Sequence, residues 1–260
     1  MRGQIKAVFF DIDGTLVSFN THVVPNSTRR AIARLREQGI KVFIATGRLM
    51  KHVTVVDDIE VDGYVTVNGG YCITSSGEVI FEQYFPRETV EQAISLSEQY
   101  GFELNVMTHQ DMYVNSWGER VEKIASMIHI TPTVADLREV AATQPVVQLC
   151  PYISKELEQE IMPLLPDCVG SRWIETFMDL NLKGVDKSLG VKHVMEYYGL
   201  TMAQAMAFGD GGNDLPMVRD AAIGVAMGNA CEELKNAADF ITESVDEDGV
   251  ERALKHFGLI

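Results

Sequence analysis

Short apolar runs alternate with amphipathic stretches over the first seventy residues of the chain. In order, they are an apolar run at 5–10, a helical stripe from the caps Asn26-Ser27-Thr28 to Gly39, a run at 40–45, a second helical stretch after Arg48 and a run at 64–67. Apolar runs of this length are typical of strands that are buried on both faces. The order strand, helix, strand, helix, strand predicts a parallel sheet.

The pattern changes after residue 70. Two short runs, 71–74 and 79–81, flank Ser75-Ser76-Gly77 and predict a hairpin. Strands are then predicted at 103–107, 112–115, 146–152 and 173–182, and helices at 88–100, 119–127 and 155–162. Strands mixed with helices in this way indicate an α+β insertion, which we place at residues 83–183.

The parallel pattern returns after the insertion. It consists of helices at 187–198 and 250–257, with short strands at 205–208, 223–227 and 240–241. The predicted fold class is therefore α/β. A Rossmann-like parallel-sheet core, residues 1–82 and 184–260, is interrupted by an inserted α+β cap domain.

Composition and charge narrow the range of functions. The chain has 260 residues, 46% of them hydrophobic and 23% charged, which is ordinary for a globular protein. Its formal net charge of −15 argues against nucleic-acid and anionic-membrane partners, because both require a positive field.

Targeting signals and cysteines also bear on where the protein works. No stretch reaches the roughly 18 to 20 apolar residues of a membrane-spanning helix. We expect no secretory leader, because no long apolar segment with a small-residue cleavage site precedes the first predicted strand. The four cysteines form no Cys-x-x-Cys pair, so neither a zinc site nor a disulfide framework is indicated. We expect a cytoplasmic location, and the sequence carries no signal of oligomeric state.

Two carboxylates, Asp11 and Asp13, follow the first apolar run within Asp11-Ile12-Asp13-Gly14-Thr15. The carboxyl end of such a strand is where an open α/β sheet holds its reactive groups. An Asp-x-Asp pair can bind a hard divalent cation, and one carboxylate can act as a nucleophile. An ordinary turn is the competing interpretation, because Asp and Gly are common turn residues.

Other polar groups follow the remaining strands of the parallel part. They are Thr46, Asp210 and Asp214, and Lys187 joins them from the start of a predicted helix. Phosphoryl transfer requires an in-line nucleophile, together with positive charge and hydrogen-bond donors around the phosphoryl oxygens. These groups, together with Asp11 and Asp13, contain what that reaction requires. Mg²⁺ is the metal that an all-oxygen ligand set suits.

Simpler interpretations remain open for three of these clusters. Thr46-Gly47-Arg48 can be a helix cap, and Asn68-Gly69-Gly70 can be a strand-end turn. Lys183 and Lys192 compete with Lys187 for the role of the cation.

Taken together, the motifs resemble those of a known superfamily. Asp11-Ile12-Asp13-Gly14-Thr15, Thr46-Gly47-Arg48, Lys187 and Gly209-Asp210-Gly211-Gly212-Asn213-Asp214 look like the four motifs of the haloacid dehalogenase-like phosphatases. Asn68-Gly69-Gly70 and the segment 224–230 are similar to the Cof-like branch, which carries a class IIB cap. The expected insertion falls where that cap belongs. One departure is Ser188, since relatives often have glycine after the lysine of the third motif.

The resemblance implies a role for each residue. Asp11 would form an aspartyl-phosphate, and Asp13 would protonate the leaving alcohol and then deprotonate water. Thr46 and Lys187 would bind the phosphoryl group, and Mg²⁺ would be held by Asp11, the Asp13 carbonyl and Asp210. Asp214 would be a further ligand or would orient Lys187, and Asn213 would help to position the phosphate or the metal. The residues on the substrate side would be Gly47, Arg48, Asn68 and Gly69.

These roles lead to a Mg²⁺-dependent phosphatase that acts on a small phosphate ester, above all a sugar phosphate, in preference to phosphoproteins. A phosphomutase or phosphotransferase would use the same aspartyl-phosphate. A phospho-aspartate receiver, a dehalogenase and a non-catalytic sugar-binding module agree less well with Asp13 and the intact motifs. In the cap, Asp179, Asn181 and Tyr113 are candidates to bind sugar hydroxyls, although a structural role is the simpler interpretation for each.

Overall fold

The computed structural model describes residues 5–260, apart from the side chain of Trp173. Its strands are β1 (Ala7–Phe10), β2 (Lys41–Ala45), β3 (Gly63–Thr66), β4 (Tyr71–Thr74), β5 (Val79–Glu82), β6 (Leu104–Thr108), β7 (Met112–Val114), β8 (Thr133–Val134), β9 (Val146–Pro151), β10 (Cys168–Ile174), β11 (Phe177–Leu182), β12 (Ala205–Gly209), β13 (Ile223–Ala226) and β14 (Phe240–Ile241). Its α-helices are α1 (Asn26–Glu37), α2 (Arg87–Tyr100), α3 (Glu119–Ile128), α4 (Leu137–Thr143), α5 (Lys155–Ile161), α6 (Lys187–Tyr197), α7 (Leu215–Asp220), α8 (Glu232–Ala237) and α9 (Gly249–His256).

The described chain forms two compact units. Residues 5–82 and 186–260 make up one of them, which we name the core unit, and residues 83–185 make up the inserted unit. The second change of unit thus falls after Val185, close to the predicted residue 183. None of the described helices combines the length and the apolar character needed to cross a bilayer.

An eight-stranded sheet organises the core unit. Its order is β14-β13-β12-β1-β2-β3-β4-β5, and the strands from β14 to β3 are parallel. The hairpin β4–β5 adds two antiparallel strands at one edge. The predicted parallel sheet, the hairpin and the α/β fold class are confirmed. The chain runs from β1 outward to β3 and later returns to β12 on the other side of β1, so the strand order reverses at β1.

Strand β1 is buried on both faces, which explains its unbroken apolar run. Val8 and Phe10 pack in one apolar cluster with α1 and α9, whereas Ala7 and Phe9 pack in another with α6, α7 and α8. Helices therefore cover both faces of the sheet and exclude water from it. Only the ends of the parallel strands remain for polar chemistry.

The inserted unit is an α+β structure of its own. Its six-stranded sheet has the order β10-β11-β9-β6-β7-β8, antiparallel except for the pair β7–β8. Residues of α2, α4 and α5 pack with one face of this sheet in a single apolar core.

Three local predictions are wrong. The helical stretch after Arg48 consists of two short 3-10 turns, Met50–His52 and Thr54–Val56. The strand predicted at 173–182 is two strands, β10 and β11, which pair around a turn. Helix α1 begins at Asn26 after Pro25 with no side-chain cap, because Ser27 and Thr28 are buried inside the helix.

Four short elements, β8, α4, α7 and α8, were not predicted. None is longer than seven residues, so each has too few positions to show a periodic apolar pattern. Helix α4 nevertheless has a cap, since the Asp136 side chain accepts hydrogen bonds from the N–H groups of Arg138 and Glu139.

Candidate active site

The carboxyl ends of the parallel strands bring the predicted residues to one edge of the core sheet. Asp11 follows β1, Thr46 follows β2 and Asp210 follows β12. Strands β2 and β12 both pair with β1, so Asp11 lies between the other two strand ends. This edge, where the strand order reverses, is the usual location of a binding crevice in α/β sheets.

Lys187, the first residue of α6, is completely buried and links two carboxylates. Its Nζ donates to Asp11 Oδ1 and to Asp214 Oδ1, both at 2.6 Å. The second oxygen of Asp214 accepts from the N–H groups of Asp210 at 3.0 Å and Gly211 at 2.9 Å. Both oxygens of Asp214 are therefore engaged in holding Lys187 and the loop after β12.

The environment of Lys187 distinguishes it from the other two lysines. Burial disfavours its charge, but the carboxylates of Asp11 and Asp214 outweigh burial and raise the pKa of the ammonium group above its usual range. Lys183 and Lys192 are exposed. Ser188 donates to Asp220 Oδ2 at 2.7 Å, so its hydroxyl is engaged outside this cluster.

Asp11 and Asp210 are carboxyl groups with raised pKa values. Burial raises the pKa of Asp11 to about 7, against the lowering effect of Lys187. Burial, followed by the negative charges of Asp11 and Asp214, raises the pKa of Asp210 to about 9. The cluster holds more negative charge than one ammonium group neutralises, which favours a bound cation.

Asp13 lies in a different environment from Asp11. Its carboxylate accepts two hydrogen bonds from Arg48, Nε to Oδ2 at 2.8 Å and Nη2 to Oδ1 at 2.7 Å. The Oγ of the nearly fully buried Thr46 accepts from the N–H of Arg48 at 3.1 Å, which leaves its hydroxyl proton able to donate. The two carboxylates of the Asp-x-Asp motif therefore have different cationic partners.

The predicted residues around the turn after β3 also assemble. Asn68 has a left-handed backbone conformation, with φ of 50°, and its Oδ1 accepts from Asn213 Nδ2 at 3.0 Å. A Cβ atom at Gly47 would lie 3.1 Å from Asn68 Oδ1. At Gly69, where φ is +94°, a Cβ atom would collide with the carbonyl oxygen of Asp186. Glycine at position 69 thus lets this turn approach the start of α6.

Two residues outside the predicted set also contribute. Asn229 Nδ2 donates to the Gly14 carbonyl at 2.8 Å and lies 3.4 Å from Asp210 Oδ2, while its Oδ1 accepts from the N–H of Val245. Asp186 caps α6, because its Oδ1 accepts from the N–H of Leu189. Asn229 could have been found from the family resemblance of the segment 224–230. Asp186 could have been found as a cap, because it directly precedes the helix predicted at 187–198.

The candidates in the inserted unit do not lie on the same face of its sheet. Asp179 and Asn181, nearly buried, alternate along β11 with Met178 and Leu180, which belong to the apolar core. Tyr113 packs against that core, and its hydroxyl accepts from Gln144 Nε2 at 3.4 Å. This position favours the structural role for Tyr113.

Sequence reasoning missed two polar residues on the face of Asp179. Asn105 on β6 is paired with Cys150, whose Sγ contacts Asp179 Oδ1 at 3.6 Å, and Gln148 lies two residues before Cys150 on β9. Asn105 and Gln148 are at most 1% exposed. Their predicted strands are mainly apolar, so periodicity alone did not mark them.

The family model for haloacid dehalogenase-like hydrolases matches residues 8–254. The chain belongs to this family. Among its relatives, YkrA of Bacillus subtilis (strain 168) is 33% identical over 260 residues, with 98% of each chain covered.

Two solved structures extend the comparison. BT1666 of Bacteroides thetaiotaomicron, from a study of phosphatases of this superfamily, has a TM-score of 0.94 at 38% identity, covering 99% of this hydrolase and 96% of that chain. The subclass IIB sugar phosphatase BT4131 has a TM-score of 0.92 at 39% identity, covering 98% and 100%. The resemblance inferred from the motifs is confirmed, and the hydrolase is a phosphoric monoester hydrolase.

A metal ion would fit the acidic cluster of this hydrolase. Asp11, Asp210 and Asp214 offer carboxylate oxygens within 4.8 Å of one another. Oxygen donors of this kind suit Mg²⁺, and three carboxylates around the single ammonium group of Lys187 leave net negative charge that favours a bound cation. Asp13 contributes no carboxylate to this group.

The raised pKa values predict how stability depends on pH. In the unfolded chain an aspartic acid releases its proton near 3.8, whereas folded Asp11 and Asp210 hold theirs until about 7 and 9. The unfolded state therefore binds fewer protons between these values, so the metal-free hydrolase should lose stability as the pH rises. Added Mg²⁺ should raise Tm more at pH 8 than at pH 5, because it competes with protons for the carboxylates.

Thermal melts from pH 5 to 9, with EDTA or with Mg²⁺, measure this dependence. Asp210→Asn removes the carboxyl group with the higher pKa and should flatten the metal-free profile. Equal Mg²⁺ shifts at all pH values, or an unchanged profile in the variant, would contradict the expectation.

Proposed function

We propose that this hydrolase is a Mg²⁺-dependent phosphatase that cleaves a small phosphorylated metabolite, foremost a sugar phosphate, through an aspartyl-phosphate. The observation that carries the proposal is the place of Asp11. Its carboxylate follows the central strand β1, accepts a hydrogen bond from the buried Lys187 and belongs to the same acidic group as Asp210. A fixed carboxylate beside positive charge is the arrangement that a nucleophile in phosphoryl transfer requires.

The reaction divides into two displacements. In the first, an oxygen of Asp11 attacks phosphorus, the bond from phosphorus to the leaving oxygen breaks, and Asp13 gives that oxygen its proton. In the second, Asp13 takes a proton from water, the water oxygen bonds to phosphorus, and the bond to Asp11 breaks. Thr46 and Lys187 bind the phosphoryl oxygens, whose negative charge grows in both transition states.

Asp11, the Asp13 carbonyl and Asp210 would hold Mg²⁺. The ion would supply positive charge to the phosphoryl oxygens when bound. Asp214 is better suited to orienting Lys187, because one of its oxygens accepts from that lysine and the other from two backbone N–H groups. Asn213 would help to position the phosphate through its bond to Asn68.

In this proposal the two units have separate tasks. The core unit is the catalytic part, and the inserted unit is a cap that selects the leaving group. The similarity to a sugar phosphatase over nearly the whole chain supports the sugar phosphate. On the polar face of the inserted unit's sheet, Asp179 and Asn181 carry groups able to bind hydroxyls. The four cysteines of the described chain are free, which agrees with a cytoplasmic location for this hydrolase.

Phosphate release from para-nitrophenyl phosphate tests the proposal. The wild type should turn over with Mg²⁺, lose activity in EDTA and recover when Mg²⁺ is restored, and Asp11→Asn should be inactive. A screen of hexose, pentose, triose, nucleotide and cofactor phosphates should then give its highest rate with a sugar phosphate. Absence of turnover by the wild type would refute the phosphatase proposal, and isomerised sugar phosphate without free phosphate would indicate a mutase.

A further inference from the structure

Each nitrogen of the Arg48 guanidinium group donates a hydrogen bond to another part of the core unit. Nε and Nη2 donate to the two oxygens of Asp13, and Nη1 donates to the carbonyl of His52 at 2.9 Å. All three nitrogens thus have a partner within the core unit. The motif suggested that Arg48 lies toward the substrate, whereas its contacts place it on the second carboxylate of the Asp-x-Asp motif.

The backbone around Arg48 is braced as well. Its N–H donates to Thr46 Oγ, and its carbonyl accepts from the N–H of Val67 at 3.2 Å. The loop after β2 is therefore tied both to the predicted phosphate-binding threonine and to the turn after β3. A side chain that leaves a braced loop and is bonded at all its nitrogens has little freedom to turn elsewhere.

Exposure differs between the two partners. The Arg48 side chain is 19% exposed, while that of Asp13 is 38% exposed. The Asp13 side chain is thus the more exposed member of the pair. A bidentate pair fixes the plane of the carboxylate as well as its position.

We infer that Arg48 is a positioning residue that aims the Asp13 carboxyl group for proton transfer and is not a ligand of the substrate phosphate. The inference rests on the proposed function, because it takes Asp13 as the acid and base. When the bond between phosphorus and the leaving oxygen breaks, the proton of Asp13 passes to that oxygen as Asp11 bonds to phosphorus. Arg48 transfers no proton in this exchange, and its two hydrogen bonds hold the carboxyl group in place.

Lysine cannot replace arginine in this task. A lysine at position 48 would keep the positive charge but present a single ammonium group, so it could not hold both carboxylate oxygens in one plane. Arg48→Lys therefore separates the loss of orientation from the loss of charge. Arg48→Ala removes both.

Two aryl phosphates that differ in leaving group provide the test. Phenyl phosphate releases a basic phenolate that needs a proton, whereas para-nitrophenyl phosphate releases a stable anion that does not. The ratio kcat/KM covers the steps up to departure of the leaving group. In Arg48→Lys we expect kcat/KM for phenyl phosphate to fall at least about tenfold further than for para-nitrophenyl phosphate, because a well-placed acid contributes about 10² or more.

Two comparisons make the test specific. Adding Arg48→Lys to Asp13→Asn should cause no further selective loss on phenyl phosphate, since the carboxyl group to be aimed is gone. Arg36→Lys is the matched control. Arg36 bonds Asp62 and Glu60 at 2.6 Å, with Asp62 just before β3 at the opposite edge of the sheet, so this change should leave the ratio between the two esters as in the wild type.

Each outcome has a clear meaning. Equal losses on both esters in Arg48→Lys, or an undiminished further loss in the Asp13→Asn background, would overturn the inference and show Arg48 acting on the phosphate itself. Wild type that cleaves neither ester would refute the proposed function instead. Thermal melts identify a variant that fails to fold, and if Arg48→Ala does so, Arg48→Lys still decides.

Discussion

Replacing Lys187 with methionine is expected to lower the free energy of unfolding by about 3 to 5 kcal/mol and to abolish turnover. Lys187 has no exposed surface, and its ammonium group bonds Asp11 and Asp214. Methionine fills a similar volume but leaves two buried carboxylates without their cation. The protein must then protonate them or open the site to water, and both cost free energy.

Urea unfolding at pH 7, followed by circular dichroism, measures this loss. Lys192→Met is the matched control, because Lys192 is an exposed residue of the same helix, α6, and should change stability by less than about 0.5 kcal/mol. A loss below about 1 kcal/mol for Lys187→Met would show that the buried charges are compensated in another way. Turnover under stabilising conditions separates the catalytic effect from unfolding.

Asp11→Asn and Asp13→Asn should fail at different steps. Without Asp11 no aspartyl-phosphate can form, so turnover of para-nitrophenyl phosphate should fall by about 10³ or more, with no burst. Without Asp13 the nitrophenolate can still leave, since it needs no proton, but water attack on the aspartyl-phosphate loses its base. Asp13→Asn should therefore release up to one nitrophenolate per site in a burst, followed by turnover about 10² to 10⁴ lower than in the wild type.

Stopped-flow absorbance resolves the burst, and acid quenching traps the phosphorylated protein. Asp62→Asn is the matched control, because Asp62 is also a mostly buried carboxylate that accepts hydrogen bonds. It precedes β3 and therefore lies at the amino ends of the parallel strands, away from Asp11 at their carboxyl ends. This variant should keep wild-type kinetics. A burst in Asp11→Asn, or none in Asp13→Asn, would mean that the roles of the two aspartates are not those proposed.

Much of the core unit was predictable because its central strands are buried on both faces. β1 and β12 therefore appear as unbroken apolar runs, and so does β2 after its first residue, Lys41. The residues at their ends were predictable for the same reason, since a polar group directly after such a run must leave the sheet at its carboxyl edge. The short helices α7 and α8 were not, because six residues show too little of a helical period.

The contacts of the site were less predictable than its members. Whether Arg48 turns toward a ligand or toward Asp13 depends on side-chain torsions and on how two loops close, and neither leaves a signal in residue spacing. Asn229 bonds a carbonyl 215 positions earlier in the chain. Such a bond exists only after the whole sheet has assembled.

The central position of β1 has a consequence for folding. One side of β1 pairs with β2, which follows soon in the chain, but the other side pairs with β12, which begins at Ala205. During synthesis this edge of β1 stays unpaired until the inserted unit and then β12 have been made. An unpaired strand edge is a template for association with other chains. Pairing of β12 with β1 therefore competes with association of the open β1 edge with other chains.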